Sequence, residues 1–206
     1  MILRCLQTIA YLSCNAKHKS YHCHSLSTSH EFLLGRRMNA LLQLHVDIDE
    51  RVNSIREEHP NWRCRMGCDY CCHKLAEIPH LTALEWELLQ QGLMTLPPET
   101  LNAIRHQIAG LTQQVSGTIR CPMLDKSAGA CMVYAYRPVA CRTYGFYVQH
   151  QSGLYCQDIE LLVNAGVLNN VVWGNQNAIE RRLSRLGESK KLTEWFAVWD
   201  NASQTI

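Results

Sequence analysis

Residues 64–72 read CRMGCDYCC, four cysteines in nine positions with two of them adjacent. A thiol that gives up its proton becomes a soft ligand and a nucleophile. A cluster this dense can therefore cross-link the chain as disulfides, exchange electrons as a redox pair, or hold a metal. The spacing is i, i+4, i+7, i+8. At about 100° of rotation per residue, a helix would set all four sulfurs on one face. A tight loop closed at Gly67 would gather them equally well.

Four more cysteines follow, Cys121, Cys131, Cys141 and Cys156. Disulfides account poorly for the pattern, because a bridge between neighbours such as Cys71 and Cys72 is strained and no secretion signal supports an oxidising compartment. Redox catalysis favours a single Cys-x2-Cys within alternating strands and helices. Cys68-Asp69-Tyr70-Cys71 has the spacing but lacks that context. Metal ligation fits best, since thiolates select zinc or iron–sulfur clusters and either takes four of them. Eight cysteines suffice for two four-thiolate sites, or for one site plus spare thiols, and the sulfurs of Cys64, Cys68 and Cys71 are expected to converge with at least one of Cys121, Cys131 and Cys141. Arg137 and Arg142 bracket Pro138 and Cys141. Two cations there would lower thiol pKa values and offset the charge of a thiolate-bound centre, so both are candidate cofactor-binding residues. Tyr134, Tyr136, Tyr144 and Tyr147 would screen the site from water or fill the core.

The elements that must position these groups are mostly helical. Leu41, Leu44, Ile48, Val52 and Ile55 recur at three- and four-residue steps, predicting a helix over 38–58 that ends before Pro60. A second is predicted over 81–93, opened by a Thr82/Glu85 capping box with Leu81 stapled onto Trp86, and closed at Gly92. Leu101, Ile104, Ile108, Leu111 and Val115 mark a third, over roughly 98–115. Residues 117–156 lose helical periodicity and predict short extended pieces and turns, with one helical turn starting at Pro138. Helices should return near 158–170, 175–186 and 191–200, with Leu186-Gly187 as a stop and Trp195, Phe196 and Trp199 as a packing face. The expected fold class is mainly α, a small helical domain with an irregular cysteine-rich segment organised around a metal site.

At 206 residues with 18% charged and 47% hydrophobic side chains, the composition is that of one globular domain. A net charge of +2 gives no electrostatic pull toward nucleic acid, and no apolar run is long enough to span a membrane. The charge is uneven, at +4 over residues 1–37, a stretch also rich in serine and histidine. That stretch reads as a disordered tail, or as codons upstream of a true start at Met38, leaving 38–206 as a single cysteine-cluster metal-binding domain. The expected location is cytoplasmic.

The motif CRMGCDYCC, then CPML, then GACMVYAYRPVACRTYGF, then Cys156, resembles the YkgJ-type CxxCxxCC cysteine-cluster family, described as a zinc- or iron-chelating domain. A YxxRPxxCRxY pattern is matched by Tyr134, Arg137, Pro138, Cys141, Arg142 and Tyr144. The resemblance covers about 64–156. It departs at the first gap, which is three residues here and two in the family. It implies Cys64, Cys68, Cys71, Cys72, Cys121, Cys131, Cys141 and Cys156 as metal ligands. His73 stands where members often carry a basic or polar residue, as a further ligand, a supporting donor or an ordinary surface histidine. Related domains fused to a flagellin lysine methylase imply that some members assist methyl transfer.

The reading that results is a metal-binding protein holding zinc or an iron–sulfur cluster, without evident catalysis, whose partner is that metal or cluster, with room for a protein partner not identified by the sequence. Two alternatives stay open. Cys64-x3-Cys68-x2-Cys71 has the spacing with which radical S-adenosylmethionine enzymes bind a cluster, which would make this a redox or radical methyl-transfer accessory enzyme. Labile thiolates would instead suit metal storage or delivery. A chain beginning at Met38 is expected to bind metal with unchanged stoichiometry. Metal analysis showing a loss would bring Cys5, Cys14, Cys23 or the histidines near them into the site.

Overall fold

The computed structural model describes residues 27–113 and 117–203, and these are mainly helical. The longest element is helix α1, Ser27–Glu58, whose buried face is the predicted stripe of Leu41, Leu44, Ile48, Val52 and Ile55. It begins at Ser27 rather than Met38. Nothing between the two residues breaks a helix except Gly35, and Arg37 donates a hydrogen bond to the Leu186 carbonyl, fastening that turn to the body. Residues 1–26, the rest of the expected tail, lie outside the described residues, as do their histidines and Cys5, Cys14 and Cys23.

After a short helix α2, Tyr70–His73, comes strand β1, His80–Thr82, leading into helix α3, Ala83–Leu93. The capping box is present: Glu85 N–H donates to Thr82 Oγ1, and Thr82 N–H donates to Glu85 Oε2. Gly92 does not end this helix. It lies inside it, and a Cβ there would stand 2.5 Å from the Tyr136 ring. The glycine serves a close approach, and Met94 caps the helix instead. Helix α4, Pro98–Leu111, buries Ile104 and Ile108. Val115, expected on the same stripe, lies outside the described residues.

The segment from 117 onward is built of short pieces, as expected. Strands β2, Leu124–Asp125, and β3, Ala130–Cys131, form a hairpin. Asp125 closes its turn by accepting from Ser127 N–H, Ser127 Oγ and Ala128 N–H. A 3₁₀ turn at Tyr134–Tyr136 precedes helix α5, Val139–Thr143, which starts directly after Pro138. Strands β4, Tyr147–Gln149, and β5, Ser152–Leu154, pair around His150 and Gln151, and strand β6, Gly174–Asn175, joins β4 in parallel. Helix α6, Gln157–Asn164, lies between β5 and β6. After β6 come helix α7, Gln176–Leu183, strand β7, Ser189–Lys191, which pairs with β1, and helix α8, Leu192–Ser203. Among the described residues the sheets have two, two and three strands, so no sheet organises the fold.

Apolar burial falls into two clusters. The first surrounds the α1 stripe with Trp62, Val139, Phe146 and Ile159, and Trp173 packs on it. The second joins Leu89, Leu93, Ile104, Ile108, Met123, Val133 and Phe196. In the second, Trp86 stacks on Trp195 at 6.1 Å and meets Trp199 edge-on, the packing face expected of α8. Between them Glu85, only 2% exposed, accepts from Val139 N–H at 3.0 Å and so fastens α3 to α5.

Removing Glu85 would strand three buried donors and remove the α3 cap. Glu85→Ala is therefore expected to destabilise the fold by about 3 kcal/mol, since orphaned buried partners of a charged group cost far more than the bonds contribute net. Chemical denaturation measures this directly, and a loss under about 1 kcal/mol would be the ordinary cost of a point mutation and would show that the network stabilises nothing.

Candidate metal centre

The four-cysteine segment is a loop followed by one helical turn, not a continuous helix. Gly67 turns the chain at φ +88°, a conformation natural only to glycine, and α2 then carries Cys71 and Cys72. Arg56, in the last turn of α1, donates through Nε and Nη2 to the Cys64 carbonyl at 3.3 and 3.0 Å, which sets the start of the loop. Asp69 Oδ2 lies 2.9 Å from His73 Nε2. His73 is thereby committed to a carboxylate within its own segment.

The second group is brought to the first by main-chain bonds. Cys121 N–H donates to the Cys72 carbonyl at 2.8 Å and Leu75 N–H to the Ile119 carbonyl at 2.9 Å, so residues 119–121 run antiparallel beside 72–75. Cys131, in β3, pairs with Leu124. Cys141 sits in α5, and Cys156 is the residue before α6. The Cys64 thiol points at the Tyr144 carbonyl, 3.6 Å away. Gly145 permits this approach: its φ is +89°, and a Cβ on it would come within 2.7 Å of Cys64 Sγ. Gly145 went unread in the sequence, although its place directly after Tyr144 in the RTYGF run was visible.

All the expected cysteine ligands except Cys156 line a single cavity of about 470 Å³. Every one of the eight is half-buried and unbridged. A hydrogen bond joins the thiols of Cys71 and Cys72, and another those of Cys72 and Cys121. Burial pushes the Cys64 thiol up to about 12, with Cys68 and Cys71 adding to the effect. Cys141 is raised to about 12 by burial and then by Cys71 and Cys131. Cys72 is raised to about 12, chiefly through its bond to Cys121, and Cys71 is raised through its bond to Cys72. These raised thiols stay protonated at neutral pH, with Cys71 and Cys72 bonded to each other and Cys64 to the Tyr144 carbonyl. Among the described residues, no three side chains of metal-binding type already stand around one ion. The donor set nonetheless suits a soft metal, because seven thiols line the cavity and a bound cation supplies the positive charge that deprotonates them.

The two arginines differ. Arg137 lies over the Tyr134 ring at 3.5 Å, donates to the Tyr134 and Cys141 carbonyls, and acts electrostatically on Cys71, Cys131 and Cys141. Arg142 lines the same cavity, but its donors are engaged by the scaffold. Its Nη1 holds both oxygens of Asp49 on α1, and its Nε and Nη2 bind the carbonyls of Arg137 and Ala135. It braces the loop that presents Arg137. Of the tyrosines, Tyr134 and Tyr144 line the cavity, Tyr136 packs on Gly92, and Tyr147 lies in the first core.

The span that carries this arrangement can be compared with known families. Residues 63–159, which contain all eight cysteines, match the family model CxxCxxCC, described as "Putative zinc- or iron-chelating domain". The match is a likeness over just under half of the chain. No curated protein matches the chain, and no solved structure does. The matched span begins one residue before Cys64 and ends in α6. α1 and the elements after α6 pack around it from outside the matched span. Among the described residues no helix is long and apolar enough to cross a membrane.

The raised thiols set a pH dependence. A thiol at 12 in the fold and at its ordinary 9.0 when unfolded binds more protons in the folded state between those values. Stability of the metal-free protein is therefore full below about pH 9 and is expected to fall as pH climbs from there toward 12. Metal must displace the same protons, so apparent metal affinity should rise with pH. Denaturant titrations of metal-free protein across this range check the first statement, and chelator competition at pH 6 and pH 8 checks the second.

Proposed function

We propose that this protein binds zinc or an iron–sulfur cluster through Cys64, Cys68, Cys71, Cys72, Cys121, Cys131, Cys141 and Cys156, and that it performs no catalysis of its own. The observation that carries this reading is the cavity lined by thiols from two groups distant in sequence. It is supported by the chelating description of the CxxCxxCC family over the same residues. Cys5, Cys14 and Cys23 have no part in it. Arg137 is the charge that offsets the thiolates, and Arg142 assists it from behind. A cytoplasmic location agrees with eight cysteines left unbridged, since a reducing compartment keeps them so. Residues 38–206 act as one unit in this reading, because apolar clusters inside and outside the matched span share side chains.

Anaerobic purification with iron, zinc and sulfide analysis separates the two metals, because inorganic sulfide accompanies only the cluster. Cys71→Ser is expected to lose metal and to leave residues 117–156 open to proteolysis while most helical circular dichroism survives, because metal-binding energy here is also folding energy for the segment. If the variant kept full metal content and an uncleaved 117–156 segment, with a loss of only about 1 kcal/mol, Cys71 would be an apolar filler and not a ligand.

A further inference from the structure

Cys72 and His73 are consecutive in α2, and consecutive helical side chains leave the axis about 100° apart. Arg120 and Cys121 are consecutive in the stretch that runs antiparallel beside residues 72–75, and successive side chains of an extended chain face opposite ways. Each pair therefore divides. Cys72 and Cys121 line the thiol cavity, whereas His73 and Arg120 line a second pocket, of about 390 Å³. Leu111 and Pro122 line both, so the two spaces stand back to back.

The second pocket is cationic. Arg120 and Lys126 line it with His73, and Gln107 and Thr118 add an amide and a hydroxyl. Among the described residues no acidic side chain lines it. His73 is held by Asp69 at 2.9 Å, but Arg120 and Lys126 enter no ion pair among the described residues. Asp125, next to Lys126 in the chain, spends its carboxylate on the turn at Ser127 and Ala128. Two positive charges thus share one concave space with nothing to balance them.

Such a pair suits a doubly charged anion. The guanidinium offers a planar fork of donors that matches phosphate oxygens, and the ammonium is a point charge that phosphate also accepts. A carboxylate would balance only one of the two. No aromatic ring lines the pocket to stack a base, and a chain of net charge +2 has no general pull on nucleic acid. The volume is that of a small-molecule site. Leu111 and Pro122 give it an apolar wall for a short organic body.

We propose that this pocket binds a small phosphate monoester, its phosphate held between Arg120 and Lys126. The proposal is independent of the metal-binding reading. The test is isothermal titration of the full chain with glycerol phosphate and with inorganic phosphate. Salt is held at about 0.15 M, which screens exposed charges beyond about 8 Å. One equivalent of each is expected, with the ester bound more tightly. Arg120→Ala and Lys126→Ala should each weaken binding by about tenfold or more, as the loss of one charge-assisted contact does. The double variant should bind neither. Lys190→Ala, which removes a cation over the Trp195 ring and outside the pocket, should bind as the unsubstituted chain does. Arg120 and Lys126 are exposed, so both variants should keep the parent circular dichroism. No saturable binding at this salt would overturn the proposal. So would binding unchanged in the double variant, or weakened equally in Lys190→Ala, since either would mean diffuse surface charge and not a site. Inorganic phosphate bound as tightly as the ester would overturn the ester as ligand and assign the pocket to free phosphate.

Discussion

A carboxylate kept from water must find donors for both oxygens, and Glu85 finds three. Thr82 supplies its N–H and hydroxyl to one oxygen, and Val139, more than fifty residues away, supplies its N–H to the other. Leaving such a group unpaired would cost several kcal/mol, so the bonds are as directive as they are stabilising. They dictate that the start of α5 lies against the start of α3. Val139 follows Pro138, which has no N–H to give, and Cys141 comes two residues later. The position of Cys141 and of the Arg137 backbone is therefore inherited from the cap of a helix that carries no cysteine. The Arg142–Asp49 pair performs the corresponding task against α1, with the arginine nearly buried and the aspartate half-exposed.

The thiols occupy the seam between two apolar clusters that are joined otherwise by short strands and by Glu85. The hairpin of β2 and β3 is only two residues on each side. Small ladders of this kind are marginal alone, and no disulfide reinforces them among the described residues. In the proposed reading a metal supplies the missing cross-link, binding sulfurs whose protonated forms the interior otherwise favours. The same burial that raises the thiols also keeps water from competing for the metal once it is bound.

Much of this was legible in the amino-acid order, and the exceptions share a cause. The α1 stripe, the Thr82/Glu85 box, the α4 stripe, the helical turn after Pro138 and the tryptophan face of α8 are local patterns, written within a few residues of where they act. The second bond of Glu85 is not local, and a capping glutamate looks the same whether or not its other oxygen reaches Val139. Gly92 was read as a stop because glycine commonly is one, while its real use, making room for Tyr136, depends on tertiary packing. The hairpin at 147–154 turns through His150 and Gln151 at positive φ, without the Asn-Gly that announces such turns. At the site itself, the spacing of 64, 68, 71 and 72 suited a helix or a loop, and Gly67 decided for the loop. Arg137 and Arg142 were indistinguishable in sequence. Only the position of Asp49 assigns one to the thiols and the other to the scaffold.

The tryptophans are divided as the apolar clusters are. Trp62 and Trp173 stand 5.5 Å apart in the cluster that takes Cys64, and Trp86, Trp195 and Trp199 form a separate group in the other cluster. Light absorbed by this protein is thus emitted from two separate tryptophan groups. Trp62 is two residues from Cys64, whereas the other group belongs to the cluster against which Cys121 and Cys131 pack. Emission that quenches unevenly as the chain is loaded would tell which half of the molecule has changed, with no label attached.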